Sequence, residues 1–200
     1  MGKTFQKTRV SAAILAGGKS NRMGQNKALM NMNGKPLIQH VHDVLQELSD
    51  DLFIVSNEPE KYRFLKRPLY TDEMPSIGPL AGIYTALVHS SNPNCIVLGC
   101  DMPFISITLL QRLLQKIEVD KITAVRSQER IEPLCAIYPQ TAMPVIKALV
   151  ANKRYKAGQL FREIPTAEIE LEKSEENALT LFNINTPEEF AAVQNYFGHS

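Results

Sequence analysis

Residues 17–27 form the first of two polar loops whose residue types and spacing could do chemistry. This loop contains three glycines together with Lys19, Arg22 and Lys27. Glycines let backbone N–H groups approach a phosphate closely, and cations neutralise the charge on its oxygens. The spacing fits neither a Walker A loop nor a dinucleotide-binding fingerprint, because the first two glycines are adjacent. We interpret the loop as a triphosphate-binding loop of another kind; the alternative is a solvated connection without a function.

The second loop places a carboxylate directly after an apolar segment. Asp101 follows residues 95–100, and Pro103 turns the chain away from the direction of that segment. A carboxylate in this position suits a hard metal ion such as Mg²⁺, which takes oxygen ligands and shares the phosphates of a substrate. The alternative is that Asp101 caps the next helix, for which Ser106 is the better candidate.

Other residues with possible chemistry give a less specific pattern. Asp72 follows residues 69–71 and precedes a polar turn, so by itself it fits a structural role as well as a binding role. The four histidines lack the spacing of metal ligands. No Gly-x-Ser-x-Gly elbow or Cys–His arrangement supports hydrolysis through a covalent intermediate.

The two loops need elements that bring them together, and the first half of the chain supplies such elements in alternation. Short apolar segments read as buried strands at residues 10–16, 52–56, 95–99 and 122–125. Helical patterns begin at Pro36, at Gly78-Pro79 and after Ser106. Strands that alternate with helices predict βαβ units and a mainly parallel sheet. In such a sheet ligands bind at the carboxyl ends of the strands, where both loops would lie.

The second half of the chain has a less regular pattern. Residues 133–138 fit an antiparallel or edge strand, residues 141–150 fit a helix, and residues 167–171 alternate weakly. Thr186-Pro187-Glu188-Glu189 has the cap, proline and glutamate of a final helix. No repeat or linker interrupts the chain, so we expect a flexible N-terminus at residues 1–9 and one α/β domain at residues 10–200.

Composition excludes several classes of function. The formal net charge is +1, from 22 basic and 21 acidic side chains, which gives no support for a nucleic-acid or membrane surface. The three cysteines are odd in number and lack CxxC spacing, as in core residues of a reducing compartment. No apolar run of about eighteen residues is present. These features predict a soluble, cytoplasmic protein.

Several motifs together resemble a known family. Residues 15–24, with Lys27 three residues further on, resemble the signature loop of GT-A-like nucleotidyltransferases. The later motifs are similar to those of the molybdenum cofactor guanylyltransferases, and they occur in the same order from about residue 10 to residue 195. They are Gly34-Lys35-Pro36-Leu37, Gly78-Pro79-Leu80-Ala81-Gly82, Cys100-Asp101-Met102-Pro103, Glu132-Pro133-Leu134 and Asn183-Ile184-Asn185-Thr186-Pro187-Glu188-Glu189.

The resemblance implies a fold and an activity. The fold would be a three-layer α/β domain, Rossmann-like and of the nucleotide-diphospho-sugar transferase type, with helices on both faces of a mainly parallel sheet. The activity would be Mg²⁺-dependent transfer of GMP from GTP to the terminal phosphate of molybdenum-molybdopterin, with release of pyrophosphate. A protein that delivers the cofactor or a molybdoenzyme that accepts it would be a partner. The alternatives are a cytidylyltransferase of the same cofactor, another small-phosphate nucleotidyltransferase, and a nucleotide-binding regulator without catalysis.

The resemblance also implies roles for individual residues. The nucleotide would contact a set of backbone and side-chain groups, namely those of Leu15, Ala16, Gly17, Gly18, Asn57 and Asp72. Lys27 would bind the phosphates and, with Arg22, stabilise the charge on pyrophosphate, whereas Asp101 would be the Mg²⁺ ligand. Asn183 and Asn185 would lie near the pterin-bearing substrate. Residue 26 is usually aspartate in this family and is Asn26 here, which removes a charge beside the phosphate loop.

Overall fold

A seven-stranded sheet lies at the centre of the computed structural model, which describes residues 9–17, 26–74, 77–127, 130–171, 179–184 and 186–197. Its strands are β1 (Ser11–Leu15), β4 (Asp51–Val55), β5 (Leu69–Tyr70), β6 (Asn94–Gly99), β7 (Ile122–Ser127), β8 (Arg130–Pro139) and β9 (Thr166–Leu171). Two short strands, β2 (Asn31–Met32) and β3 (Lys35–Pro36), pair separately as an antiparallel hairpin.

The strand order is β5-β4-β1-β6-β8-β7-β9. β8 is antiparallel to both neighbours, and the other pairings are parallel. The predicted mainly parallel sheet is therefore confirmed. Of the two possibilities for residues 133–138, the antiparallel one is right and the edge position is wrong, because β8 lies between β6 and β7. Pro133 is accommodated where the β7–β8 register shifts, so its missing N–H interrupts no regular ladder.

Helices cover both faces of the sheet, as the three-layer expectation requires. They are α1 (Leu37–Leu48), α2 (Pro79–His89), α3 (Ile107–Gln115), α4 (Ala142–Ala151), α5 (Leu160–Glu163) and α6 (Pro187–Phe197). Ile14 of β1 belongs to the same buried cluster as Val41 of α1 and Leu109 of α3. Leu15, which points to the opposite face, belongs to the cluster of α2 and α4. Alternate residues of one strand thus fill two cores.

Local sequence signals fix where the helices begin. Ser106 Oγ accepts a hydrogen bond from the Leu109 N–H at 3.2 Å and is the predicted cap of α3. Thr186 Oγ1 accepts from the Glu189 N–H at 3.1 Å, while the Glu189 carboxylate accepts from the Thr186 N–H at 3.0 Å. This reciprocal pair is a capping box and confirms the predicted start of the last helix.

The remaining sequence expectations concern the cysteines and the membrane. Cys95, Cys100 and Cys135 are buried and free, as predicted for core residues. Burial raises the pKa of Cys95 and of Cys100 to about 12, so both remain thiols at neutral pH. No helix in the described part of the chain is long and apolar enough to cross a membrane.

The start of α2 generates a prediction about stability. Gly78 precedes Pro79 with φ +65° and ψ −149°, a backbone conformation that essentially only glycine adopts. Gly78→Ala should therefore lower the free energy of unfolding by about 1–3 kcal/mol, measured by urea denaturation. Gly158→Ala is the matched control, because Gly158 has no positive φ and a Cβ there would meet open space. Equal midpoints for the two variants would contradict the prediction.

Candidate active site

The carboxyl ends of four parallel strands lie level at one edge of the sheet. Leu15 is in register with Val55 of β4 and with Gly99 of β6, and Val55 is in register with Tyr70 of β5. The loops that follow these strands therefore emerge side by side. Since β8 runs in the opposite direction, it is the beginning of β8 that reaches the same edge.

An ion pair between Lys27 and Asp101 occupies the middle of this edge. The Lys27 Nζ lies 2.6 Å from the Asp101 Oδ2, although the two residues are 74 positions apart in the chain. Their side chains are 16% and 18% exposed, so the pair is largely covered and still open to a ligand. A Cβ atom on residue 99 would lie 2.5 Å from the Asp101 Oδ1, so the glycine at that position makes room for the carboxylate.

A hydrogen-bond network supports the turn that carries Lys27. Asn26 caps the 3-10 turn Lys27–Leu29, because its Oδ1 accepts from the Ala28 N–H at 3.1 Å. The Asn26 Nδ2 donates to the Tyr62 hydroxyl at 3.0 Å, and that hydroxyl donates to the Ala16 carbonyl at 3.5 Å. Burial raises the pKa of Tyr62, and the hydrogen bond with Asn26 opposes this shift. Through Tyr62, the Asn26 amide thus connects the Lys27 turn to the end of β1.

Asn57 and Asp72 lie together after β4 and β5. The Asn57 Nδ2 donates to the Asp72 Oδ2 at 2.8 Å, and the Asp72 N–H donates to the Asn57 Oδ1 at 3.3 Å. Burial raises the pKa of Asp72, and the hydrogen bond from Asn57 acts in the opposite direction. The two residues therefore form one polar unit beside the β1 loop, as expected if both bind the same nucleotide.

The end of β1 presents its backbone to this edge. The Leu15 side chain packs against α2, where a Cβ on Gly82 would come within 2.7 Å of the Leu15 Cδ1. The Leu15 carbonyl accepts from the Cys100 N–H at 3.2 Å, and the Ala16 N–H donates to the Val55 carbonyl at 2.9 Å. A carbonyl oxygen has a second lone pair for a ligand.

The first glycine of the loop is more open than Leu15 or Ala16. Gly17 is exposed, and a Cβ atom built there would meet nothing within 4 Å. Three other predicted site residues, namely Gly18, Arg22 and Asn185, lie outside the described residues.

Glu132 is a residue at this edge to which sequence reasoning assigned no role. It lies near the beginning of β8, where its Oε1 accepts from the Leu134 N–H at 3.0 Å. Its Oε2 accepts from the Nδ2 of Asn183, a predicted site residue, at 3.4 Å. Burial raises the pKa of Glu132; the hydrogen bond from Leu134 opposes this shift, and the negative charge of Asp101 adds to it. The available signal was an acidic residue directly before the apolar residues 133–139 of the strand.

The donor set at the edge fits a metal ion that is shared with a substrate. Among the described residues no group of three or more His, Cys, Asp or Glu side chains could enclose a metal. Mg²⁺ usually binds through one or two carboxylates and completes its coordination with water and substrate phosphates. Asp101, a partly exposed carboxylate beside the Lys27 ammonium, is suited to that arrangement. A closed structural metal site would require more ligands.

Known proteins similar to this chain cover most of its length. The profile of the family described as "MobA-like NTP transferase domain" matches residues 12–168. A Carboxydothermus hydrogenoformans protein named "Probable molybdenum cofactor guanylyltransferase" is 34% identical over 191 residues, which cover 94% of this chain and 96% of the relative. A Flavobacterium johnsoniae protein of the same name is 36% identical over 177 residues, which cover 88% of this chain and 92% of the relative.

A solved structure shows a similar fold. Molybdopterin-guanine dinucleotide biosynthesis protein A from Archaeoglobus fulgidus superposes with a TM-score of 0.80 at 23% identity. The match covers 96% of this chain and 100% of that one. At this identity the likeness is one of fold.

The Tyr62 network generates a prediction about the site's framework. Tyr62 is 1% exposed, so Tyr62→Phe leaves Asn26 and the Ala16 carbonyl with one partner fewer in a buried environment. We expect the free energy of unfolding to fall by about 1–3 kcal/mol in urea denaturation. Tyr155→Phe, at a position that is 43% exposed, is the control and should change it by less than about 0.5 kcal/mol. Similar losses in both variants would contradict a supporting role for Tyr62.

Proposed function

The chain belongs to the family of MobA-like NTP transferases, and on this basis we propose that it transfers GMP from GTP to the terminal phosphate of molybdenum-molybdopterin. The product would be the guanine dinucleotide form of the cofactor, released together with pyrophosphate. The observation that carries the proposal is the Lys27–Asp101 pair, 2.6 Å apart at the carboxyl ends of β1 and β6. It sets a phosphate-binding cation beside a carboxylate at the edge where an α/β sheet binds ligands.

The chemistry is an in-line displacement at the α-phosphorus of GTP. An oxygen of the molybdopterin phosphate forms the new bond to this phosphorus, and the bond to the oxygen that bridges to the β-phosphate breaks. The attacking phosphate is already an anion, so the protein need not supply a general base. Catalysis then consists mainly of positioning and of stabilising the charge that develops.

The side chains divide this work between them. Lys27, together with Arg22, binds the phosphates of the leaving pyrophosphate and stabilises its growing negative charge. Asp101 would hold Mg²⁺, which would neutralise charge on the phosphates. Leu15, Ala16, Gly17 and Gly18 contact the nucleotide through the backbone, and Asn57 with Asp72 contacts it from the β4 and β5 side.

The acceptor and the cellular setting belong to the same proposal. Asn183 and Asn185 contact the pterin-bearing substrate. The reaction takes place in the cytoplasm, within one nucleotidyltransferase domain at residues 10–200. A cofactor-delivery protein supplies the labile cofactor, or an acceptor molybdoenzyme receives the product. The names of the two relatives favour guanine over cytosine as the transferred base.

An assay of nucleotide choice tests the proposed reaction. The purified protein is incubated with molybdenum-loaded molybdopterin, Mg²⁺ and GTP, CTP or ATP, and pyrophosphate and nucleotide-linked pterin are quantified. We expect turnover with GTP. Turnover with CTP would instead indicate a cytidylyltransferase. No turnover with any of the three would reject this acceptor, and magnesium-independent GTP binding without pyrophosphate release would favour a regulator.

Removal of the Asp101 charge tests the site. Asp101→Asn should lower kcat about 100-fold or more, because it removes a charge that acts in the transition state. Its free energy of unfolding should fall by about 1–3 kcal/mol, because the largely covered Lys27 ammonium loses a charged partner and keeps an amide oxygen as acceptor. Asp43→Asn, on α1, is the matched control, because it removes another Lys–Asp ion pair, with the Lys35 Nζ 2.8 Å from the Asp43 Oδ2. Normal turnover of Asp101→Asn, or its failure to fold, would contradict the assignment.

A further inference from the structure

Glu132 lies on the far side of Asp101 from the elements assigned to the nucleotide. In the strand order, β4 and β5, which carry Asn57 and Asp72, lie on one side of β1 and β6. β8, which carries Glu132, pairs with the opposite side of β6. An in-line displacement requires the attacking group to approach opposite the leaving pyrophosphate. The nucleotide contacts proposed on the β4 and β5 side leave the β8 side of Asp101 for the acceptor.

The segment 179–184 lies against Asp101 and Glu132 on this side. The Ile184 N–H donates to the Asp101 carbonyl at 3.1 Å, and the Ile184 side chain is fully buried with Met32, Leu37 and Val193. The backbone next to Asn183 is thereby tied to the residue at the centre of the site. Among the contacts of Asn183 is the hydrogen bond that its Nδ2 donates to Glu132 at 3.4 Å.

Both oxygens of Glu132 accept hydrogen bonds from protein groups, and the one from Asn183 determines how the Asn183 amide is oriented. The Leu134 N–H donates to Oε1, and the Asn183 amide donates to Oε2. An ionised carboxylate accepts and cannot donate, so it selects the NH₂ group of Asn183 and not its carbonyl oxygen. The Asn183 carbonyl oxygen must then point away from Glu132.

We propose that Glu132 is a positioning residue for the acceptor substrate, which it serves by fixing the orientation of the Asn183 amide. The oriented carbonyl oxygen presents an acceptor to N–H or O–H groups of the incoming molecule. This inference rests on the proposed function, because it takes the β8 side of the edge as the acceptor side. The role that it assigns to Glu132 is to orient Asn183, and not to bind the nucleotide or the metal.

Glu132→Gln tests this role with little change in shape. Glutamine carries an acceptor oxygen at only one of the two positions that the carboxylate oxygens occupy, so the hydrogen bond from Leu134 or the one from Asn183 is lost. We expect the KM for molybdopterin to rise about tenfold, because a half-buried polar group loses a hydrogen-bond partner. The KM for GTP should stay within about twofold. Glu170→Gln, at an exposed position on β9, is the matched control and should change neither constant.

A double-mutant cycle separates positioning from a general structural effect. In an Asn183→Ala background, Glu132→Gln should produce no further rise in the KM for molybdopterin, because the group through which it acts is gone. A rise that persists in that background would overturn the inference, as would an equal rise in the KM for GTP. The thermal unfolding midpoint of each variant shows whether that variant is folded in the assay.

The outcomes also distinguish the inference from the proposed function. Normal turnover by the unsubstituted protein together with an unchanged KM for molybdopterin in Glu132→Gln would overturn the inference alone. Failure of the unsubstituted protein to turn over molybdopterin with any nucleotide would overturn both.

Discussion

The contact between the Lys27 ammonium and the Asp101 carboxylate is the interaction on which the geometry of the site depends. It joins residues 74 positions apart, so it exists only if β1 and β6 are neighbours whose ends lie level. An ion pair of this exposure adds little to stability, because the attraction barely exceeds the cost of removing two charges from water. Folding therefore gains little from the pair. The sheet brings the two charges together, and a polyphosphate with a divalent cation can use both.

Close packing around this pair explains why small residues recur at the edge. Gly99 leaves the space that the Asp101 carboxylate occupies, and Gly82 leaves the space that the Leu15 side chain occupies. In the first case a larger residue would displace the carboxylate itself. In the second it would move the Leu15 side chain, at the end of the strand whose backbone is hydrogen-bonded to Cys100 and Val55. The end of β1 is thus held by side-chain packing against α2 and by backbone hydrogen bonds to its neighbours.

The sequence predicted the parts of the molecule that depend on local pattern and on one general rule of sheets. Buried strands and helix starts follow from apolar runs and caps, and Lys27 and Asp101 were placed together because ligands bind at the carboxyl ends of parallel strands. The interior position of β8 was not predictable, because Pro133 resembles an edge-strand proline until its place at a register shift is known. The roles of Asn26 and Glu132 depend on Tyr62 and Asn183, which are 36 and 51 positions away, and no local pattern encodes such contacts.

The antiparallel direction of β8 has a functional consequence. The other six strands bring only their carboxyl ends, with the loops that follow, to the edge of the site. Because β8 runs in the opposite direction, its first residues reach that edge, and Glu132 faces the segment 179–184. A parallel strand in the same place would carry residue 132 to the opposite edge, about 20 Å away for a strand of ordinary length. A mixed sheet can therefore place loop residues on one side of Asp101 and the first residues of a strand on the other. This arrangement suits a reaction that must hold two different phosphates at once.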